Sequence, residues 1–382
     1  MSKNKNLTLI FNHFEKEHLG KDVFLVPYYL GKTLEYDVTI VYPRTATNKD
    51  FPKEIKGVRL IPLKFNKRLA FFPLWRTWNF YMYLIRNAYK IDFLMRFHYT
   101  VHSKLMVVLY KLLNPKGTAY VKLDADADVV KKQECYMKNS FRHKLSDFLS
   151  SKFLKKVDIV SCETFACYEI LKNSSLLQYK FGNKLKLMPN GFDEELLQSL
   201  NIVERNFKDK ENLIITVGRL GTYQKNTEMF LRALAQVDLK DWRVCLIGPI
   251  EKDFQSIIDN FFKQYPEKIG KVIFTGPIYG KKELWEYYNR AKVFVLTSMY
   301  ESYALVLNEA QRFHNYIVST PVGAFEDLSY CGKYGKKVAI DNDKELATAI
   351  SSIINGNLNV DVYRDFENNS LSWENVVKLL NL

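Results

Sequence analysis

The sequence is poor in the features that would place it in a membrane, a disulfide scaffold or a zinc module. Across 382 residues no apolar run reaches the ~18 residues that mark a membrane-spanning helix. The stretch Met1–Asn6 leads straight into strand-like Leu7–Phe11, which is not the pattern of a secretory signal. Five cysteines (Cys135, Cys162, Cys167, Cys245 and Cys331) are odd in number and scattered. No Cys-x2-Cys pair occurs, so neither a zinc site nor a disulfide framework is expected, and a reducing cytoplasm fits. There is no fixed-period repeat and no low-complexity tract. After the first strand, Asn12 to Gly20 holds a single glycine, so no Gly-rich loop stands there.

Acidic residues are missing from one region. Between 51 and 111, twelve basic residues face only Glu54 and Asp92. Residues 1–200 carry 33 Lys+Arg against 19 Asp+Glu, whereas residues 201–382 carry 23 of each, so the whole net charge of +14 lies in the first half. A face of that sign seeks nucleic acid, anionic lipid or a polyanionic substrate. No nucleic-acid-binding module is visible, so a nucleic-acid partner is not expected.

What is present is alternation. Short apolar or β-rich runs cover Leu7–Asn12, Asp37–Pro43, Val58–Leu63, Ile91–His98, Thr118–Ala125, Val157–Glu163 and Leu185–Gly191. Helical spacing covers Thr77–Lys90, Val101–Leu113, Phe141–Lys156 and Thr164–Leu171. The second half repeats the theme. Its strands are Leu213–Arg219, Arg243–Pro249, Lys271–Pro277, Val293–Ser298, Tyr316–Pro321 and Val338–Asp341; its helices are Thr227–Val237, Phe254–Gln264, Lys282–Ala291, Ala304–Phe313 and Lys344–Asn355. Strand–helix alternation implies parallel sheets. The polar stretch Ser199–Asn212 marks the boundary. The expected α/β architecture is two doubly wound, Rossmann-like domains with a cleft between them, 1–200 and 201–364.

Two stretches carry chemistry. In Lys292–Ala310 a buried strand ends at Thr297 and Ser298 and a helix follows, with Glu301 between them and Glu309 eight positions on. Open α/β sheets bind ligands outside the carboxyl ends of their strands. The N–H groups of Ser302, Tyr303, Ala304 and Leu305 are expected to point at an anion, aided by the helix dipole. Carboxylates beside such a site suit hydroxyl groups of a sugar or ribose; the plainer reading is a helix-start acid and a solvated one. The second stretch, Val217–Asn226, leaves a strand and enters a helix. Gly218 lets the backbone turn, and Arg219 and Lys225 bring two cations to one helix start. Fixed cations there would stabilise the growing charge of a diphosphate leaving group; the plainer reading is a surface Arg and Lys near a turn.

Glu301-x7-Glu309, Arg219 with Lys225, and Pro189-Asn190-Gly191-Phe192-Asp193 together resemble retaining glycosyltransferases of the GT-B fold. These are the family 4-like group that includes sucrose and glycogen synthases and many bacterial polysaccharide enzymes. The resemblance covers nearly all of the second domain and, more loosely, the first. It implies a hexose-type transfer from a nucleotide-diphosphate sugar, UDP-linked in the first instance. Arg219 and Lys225 would bind the diphosphate, Glu301 the donor-sugar hydroxyls and Glu309 the ribose. Ile278 and Tyr279, after the strand ending Thr275-Gly276, stand where the family contacts the base; plain packing is the other reading. Thr320–Ala324 resembles the family's Gly-rich turn near the donor. The resemblance also implies that a closing helix around Trp373 crosses back, so that 365–382 completes the first domain, with Trp373 as packing. No cofactor and no metal are implied, since cations and helix dipole take over charge stabilisation.

The first half supplies the acceptor candidates. Lys122 or Leu123 stands where the family often carries a histidine, and Asp124 matches the aspartate that follows it; we expect Asp124 to contact sugar or acceptor. Asp124, Asp126 and Asp128 lack the glycine and distal glutamate of a calcium loop. His13 and His98 are acceptor-side candidates, each with a structural alternative. Segment 64–90 interleaves Phe71, Phe72, Trp75, Trp78, Phe80, Tyr81 and Tyr83 with Lys67, Arg68, Arg76 and Arg86. Rings and cations together suit an anionic membrane surface; the alternative is core aromatics beneath a solvated charged face. The expected acceptor is a glycan or lipid-linked glycan in bacterial capsule, exopolysaccharide or lipopolysaccharide synthesis, at the inner face of the cell membrane. The alternatives are a soluble or protein acceptor, or a non-catalytic sugar-nucleotide or nucleic-acid binder.

Overall fold

The computed structural model describes residues 4–64, 77–136 and 141–382. Of the basic–aromatic segment, Lys67, Arg68, Phe71, Phe72, Trp75 and Arg76 lie outside the described residues. The chain forms two compact units, Met1–Gly191 with Leu371–Leu382, and Phe192–Ser370.

The first unit is built on an eight-stranded sheet in the order β3-β4-β2-β1-β5-β6-β7-β8. Its strands are β1 (Asn6–Ile10), β2 (Asp37–Pro43), β3 (Glu54–Ile55), β4 (Val58–Leu63), β5 (Phe93–Phe97), β6 (Thr118–Lys122), β7 (Ile159–Cys162) and β8 (Leu185–Leu187). All pairings are parallel except β3 with β4. The central strands β1 and β5 are buried at every position but Asn6 because helices cover both faces, which parallel sheets require. Helix α1 (Asp22–Leu34) was not expected from the sequence. It buries Val23, Phe24, Val26 and Leu30 on one face, against Leu7, Leu9 and Ile40. The other face carries α2 (Trp78–Asn87), α3 (Val101–Leu113), α4 (Ala127–Tyr136), α5 (Phe141–Lys156) and α6 (Phe165–Asn173). There Leu84, Met106, Val107 and Phe153 pack on Leu94 and Val121. The closing helix Trp373–Val376 packs in the first unit beside α1, and Trp373 is 1% exposed.

The second unit holds a six-stranded sheet, β11-β10-β9-β12-β13-β14, with every pairing parallel. The strands are β9 (Glu211–Val217), β10 (Arg243–Ile247), β11 (Val272–Gly276), β12 (Ala291–Leu296), β13 (Tyr316–Ser319) and β14 (Gly335–Lys337). The surrounding helices include α7 (Glu194–Ser199), α8 (Thr227–Ala235), α9 (Gln255–Gln264), α10 (Lys281–Arg290), α11 (Leu305–Arg312), α12 (Phe325–Leu328) and α13 (Asp343–Ile354).

Two expectations shift. The last strand is Gly335–Lys337 and not the apolar run Val338–Asp341. Gly335 to Lys337 pair with Ile317 to Ser319, and Val338 follows the strand as a fully buried core residue. The units divide after Gly191, ahead of the polar stretch. Phe192 stacks at 4.7 Å on Trp285, and Arg312 on α11 pairs with Glu194 and Glu204, so the segment after Gly191 is bound into the second unit.

In each sheet the first strand has later strands on both sides. Crossovers therefore run in opposite directions from β1 and from β9, which opens a crevice at their carboxyl ends. In the second unit that crevice lies between β9 and β12, and in the first between β1 and β5.

Candidate active site

At the β9/β12 switch point, the loop after β9 brings Arg219 and Lys225 beside the loop after β12, which carries Glu301. Lys225 Nζ lies 2.5 Å from Glu301 Oε1. Ser298 Oγ donates to the same oxygen at 2.7 Å. Gln224 Nε2 donates to Glu301 Oε2 at 3.3 Å, and its Oε1 accepts from Arg219 Nη2 at 3.2 Å. The backbone reinforces the contact: Met299 N–H donates to Gln224 O at 2.8 Å and Thr297 Oγ1 to Lys225 O at 2.9 Å. Both carboxylate oxygens of Glu301 are thus engaged, and Lys225 and Glu301, 76 residues apart in sequence, form one ion pair.

The space for a side chain is tight at Gly218 and absent at Gly323. A Cβ on Gly218 would sit 3.2 Å from the Lys225 stem that lies along it. Gly323, at φ +56°, would bring a Cβ to 2.4 Å from the Tyr303 carbonyl oxygen and 3.2 Å from Glu301 Cβ. The turn Thr320–Ala324 therefore backs the Glu301 loop, with Ala324 N–H donating to Tyr303 O.

Helix α11 starts at Leu305, with Ala304 as N-cap in the left-handed region at φ +69°. Ser302 and Tyr303 therefore lie in the bend before the helix and not in its first turn, because the left-handed residue sets the helix start. The Tyr303 ring is buried and its hydroxyl donates to Asn308. Of the four residues expected at the helix start, Ala304 and Leu305 stand there. Glu309, one turn into α11, accepts from Trp285 Nε1 at 3.0 Å and pairs with Lys281 at the start of α10. Burial and the neighbouring Glu309 push the Tyr288 hydroxyl pKa well up. Tyr279 is 91% exposed, which removes core packing as its role, and Ile278 is half-buried.

In the first unit the sheet edge gathers a second group. His98, just past β5, places Nε2 at 3.2 Å from Asp124 Oδ2, just past β6. Both residues adopt positive φ, +63° and +46°, in the left-handed region that His and Asp enter more readily than most residues. His13 is exposed and meets the His18 ring edge-on at 5.7 Å; His18 in turn packs on Phe11, which touches His98. Burial, then Lys21, lowers the His18 pKa.

Lys122 has a different task. It is wholly buried, 2.9 Å from Asp22 and 2.7 Å from Glu163. Burial opposes its charge, but the two carboxylates outweigh that and hold its pKa well above the usual value. Glu163 also accepts the Asp124 N–H at 3.0 Å, so the buried pair shapes the loop that presents Asp124. Asp126 Oδ1 accepts the Asp128 N–H and so starts α4. Among the described residues no cluster of three or more His, Cys, Asp or Glu side chains is arranged to hold a metal ion.

Sequence reasoning did not single out Gln224, Ser298, Lys281, Trp285 or Glu163. Gln224 and Ser298 lay within the stretches that were read; the others carried no local signal.

The fold is of the GT-B kind, two Rossmann-like units, with a charged cluster at the switch point of the second. Residues 211–356, within the second unit, match the family model described as glycosyl transferases group 1. In sequence, the chain is 30% identical over 115 residues to the amylovoran biosynthesis glycosyltransferase AmsD of Erwinia amylovora, covering 30% of this chain and 31% of that protein. The chain spans between about a third and about half of the length of the curated relatives it matches. In fold, it is similar to the lipopolysaccharide outer core galactosyltransferase WaaB (TM-score 0.68, 14% identity, 98% of each chain). It is also similar to HepE of Anabaena, solved with UDP-glucose (TM-score 0.65, 13% identity, 98% of each chain).

Proposed function

We propose that the protein is a retaining, metal-independent glycosyltransferase that moves a hexose from a UDP-sugar to a glycan or lipid-linked glycan acceptor in bacterial surface-polysaccharide synthesis. The observation that carries this reading is the Arg219–Gln224–Glu301–Lys225 cluster at the β9/β12 switch point. Without ligand, Lys225 and Glu301 neutralise each other. When the donor binds, its diphosphate takes over Lys225 and Arg219, and the freed Glu301 oxygens accept hydroxyls of the donor sugar. Likewise Glu309 exchanges Lys281 for the ribose hydroxyls, and Tyr279 and Ile278 flank the base. Gly218 keeps the backbone close to the phosphates, and the N–H groups at Ala304 and Leu305 add the positive end of α11.

Charge builds on the diphosphate as the sugar bond breaks, so the two cations stabilise the transition state more than the ground state. The departing phosphate oxygen then takes the acceptor's proton on the same face of the sugar. His98 and Asp124, with His13 nearby, hold the acceptor hydroxyl. HepE was solved with UDP-glucose and WaaB is a galactosyltransferase; those two proteins support the choice of a UDP-hexose. AmsD serves amylovoran biosynthesis, which supports an acceptor in surface polysaccharide. The basic, aromatic segment 64–90 supports docking at the cytoplasmic face of an anionic membrane. Among the described residues no helix is long and apolar enough to cross one.

The test is thermal unfolding against UDP, GDP, ADP and CMP and their common sugar conjugates. A ligand that binds only the folded state raises the midpoint by mass action. The expected result is a rise with UDP that disappears in Arg219→Ala. A well-folded sample with no rise from any nucleotide would overturn the reading.

A further inference from the structure

Gln224 is the residue through which the donor cluster is joined. Its side-chain amide is used at both ends. Oε1 faces the Arg219 guanidinium at 3.2 Å; Nε2 faces Glu301 Oε2 and the Tyr300 carbonyl oxygen, each at 3.3 Å. Only this orientation of the amide gives the cation an acceptor and the anion a donor. The Gln224 main-chain carbonyl accepts the Met299 N–H at 2.8 Å. One residue therefore ties the loop after β9 to the loop after β12.

We propose that Gln224 is a positioning residue that keeps Glu301 and Arg219 aligned once Lys225 has turned to the donor diphosphate. This inference rests on the donor-site reading above. In the ligand-free protein Glu301 is held by Lys225, Ser298 and Gln224. A phosphate competes for Lys225 and leaves Glu301 without its cation. Ser298 on Oε1 and Gln224 on Oε2 then fix the carboxylate plane. Arg219 is an exposed, flexible side chain, and its contact with Gln224 removes part of the freedom that phosphate binding would otherwise freeze. A glutamate at 224 would still accept from Arg219, but it could not donate to Glu301 and would set two carboxylates against each other. The amide is the chemistry this position requires.

The experiment uses the full chain with UDP and UDP-glucose as probes. In the wild type, the midpoint rise with UDP-glucose is expected to exceed that with UDP, because Glu301 contacts the sugar. In Gln224→Ala that sugar increment should vanish and the rise with UDP should shrink, with the ligand-free midpoint unchanged. UDP released from UDP-glucose should be about ten- to a hundredfold slower. Gln224→Glu should show the same loss at neutral pH and recover partly as the pH is lowered, when the new carboxyl is protonated and donates again. A residue that only braces the loops would lower the ligand-free midpoint and leave the sugar increment and pH profile unmoved. Wild-type increments and profiles in both variants, with the UDP rise still dependent on Arg219, would overturn the inference and leave the donor site standing. No nucleotide response in the wild type would overturn both.

Discussion

Glu301 accepts from three side chains, and Lys225 is the one among them that bears a charge. Replacing Glu301 with Gln keeps the shape but removes the charge, and replacing Lys225 with Ala leaves Glu301 with two neutral donors. Charge-assisted hydrogen bonds contribute about 1.5–3 kcal/mol each, so either change should cut sugar transfer by about ten- to a hundredfold. UDP affinity should fall in Lys225→Ala and hold in Glu301→Gln. Initial rates with radiolabelled UDP-sugar, alongside UDP titrations, separate the two; equal losses of UDP affinity would contradict the assigned roles. The positions of Arg219, Lys225 and Glu301 past strand ends were legible because the apolar runs reveal where those strands stop; the donor roles given to them and to Glu309 come from the resemblance to GT-B glycosyltransferases. Gln224 and Lys281 were not legible, because their meaning lies in partners 77 and 28 residues away. Helix α11 starts one residue after the expected Ala304, which caps it in a left-handed conformation that no local residue type announces.

Arg312 is the element-scale counterpart. It sits in α11, is only 7% exposed, and bonds both Glu194 on α7 and Glu204 on the following strand-free segment. It fastens the chain that leaves the first unit to the helix that carries Glu309. Removing one partner of a largely buried ion pair is strongly destabilising, so Arg312→Ala should lower the stability of the second unit by about 2–4 kcal/mol, read by urea denaturation. The same pairs give a pH response. The Arg312 hydrogen bond lowers the Glu204 pKa below its ordinary 4.5, and the Arg290 hydrogen bond does the same for Glu211 at the start of β9. Between the ordinary value and the lowered one the unfolded chain binds more protons. This stabilisation is therefore complete above pH ~4.5 and is lost as the pH falls through the folded values. Urea midpoints at pH 6 and pH 3.5 should differ more in wild type than in Arg312→Ala; parallel declines would refute this. At this scale most strands could be read from apolar runs, since a parallel sheet buries both faces of its strands. Helix α1 could not, because Pro27 and Gly31 interrupt it and read as breakers. The three-residue β14 was hidden by the more apolar run that follows it.

Charge divides the whole molecule as the fold does: the first half carries all of the +14. Helices α2 and α3 contain no acidic residue, and their surfaces expose Trp78 (49%), Ile85 (45%) and Leu112 (63%). Just beyond α2, Tyr89 is also exposed and Lys90 lies 5.2 Å from its ring centroid. Soluble helices normally balance exposed apolar groups with charges of both signs. Here only cations are offered, which fits a surface that supplies the anions, as the cytoplasmic leaflet does. Each basic residue near such a surface contributes about 1 kcal/mol. Changing Arg68, Arg76 and Arg86 to Glu together should weaken binding to vesicles containing anionic phospholipid by at least ~100-fold, with no effect on the UDP-induced midpoint rise. Wild-type binding should weaken as salt is raised, because the attraction is screened beyond a Debye length. Trp78→Ala should reduce binding less and without changing the salt dependence, since it removes apolar contact and not charge. Vesicle sedimentation at two salt concentrations distinguishes these terms. If the triple reversal binds as the wild type does, the basic segment is a solvated face.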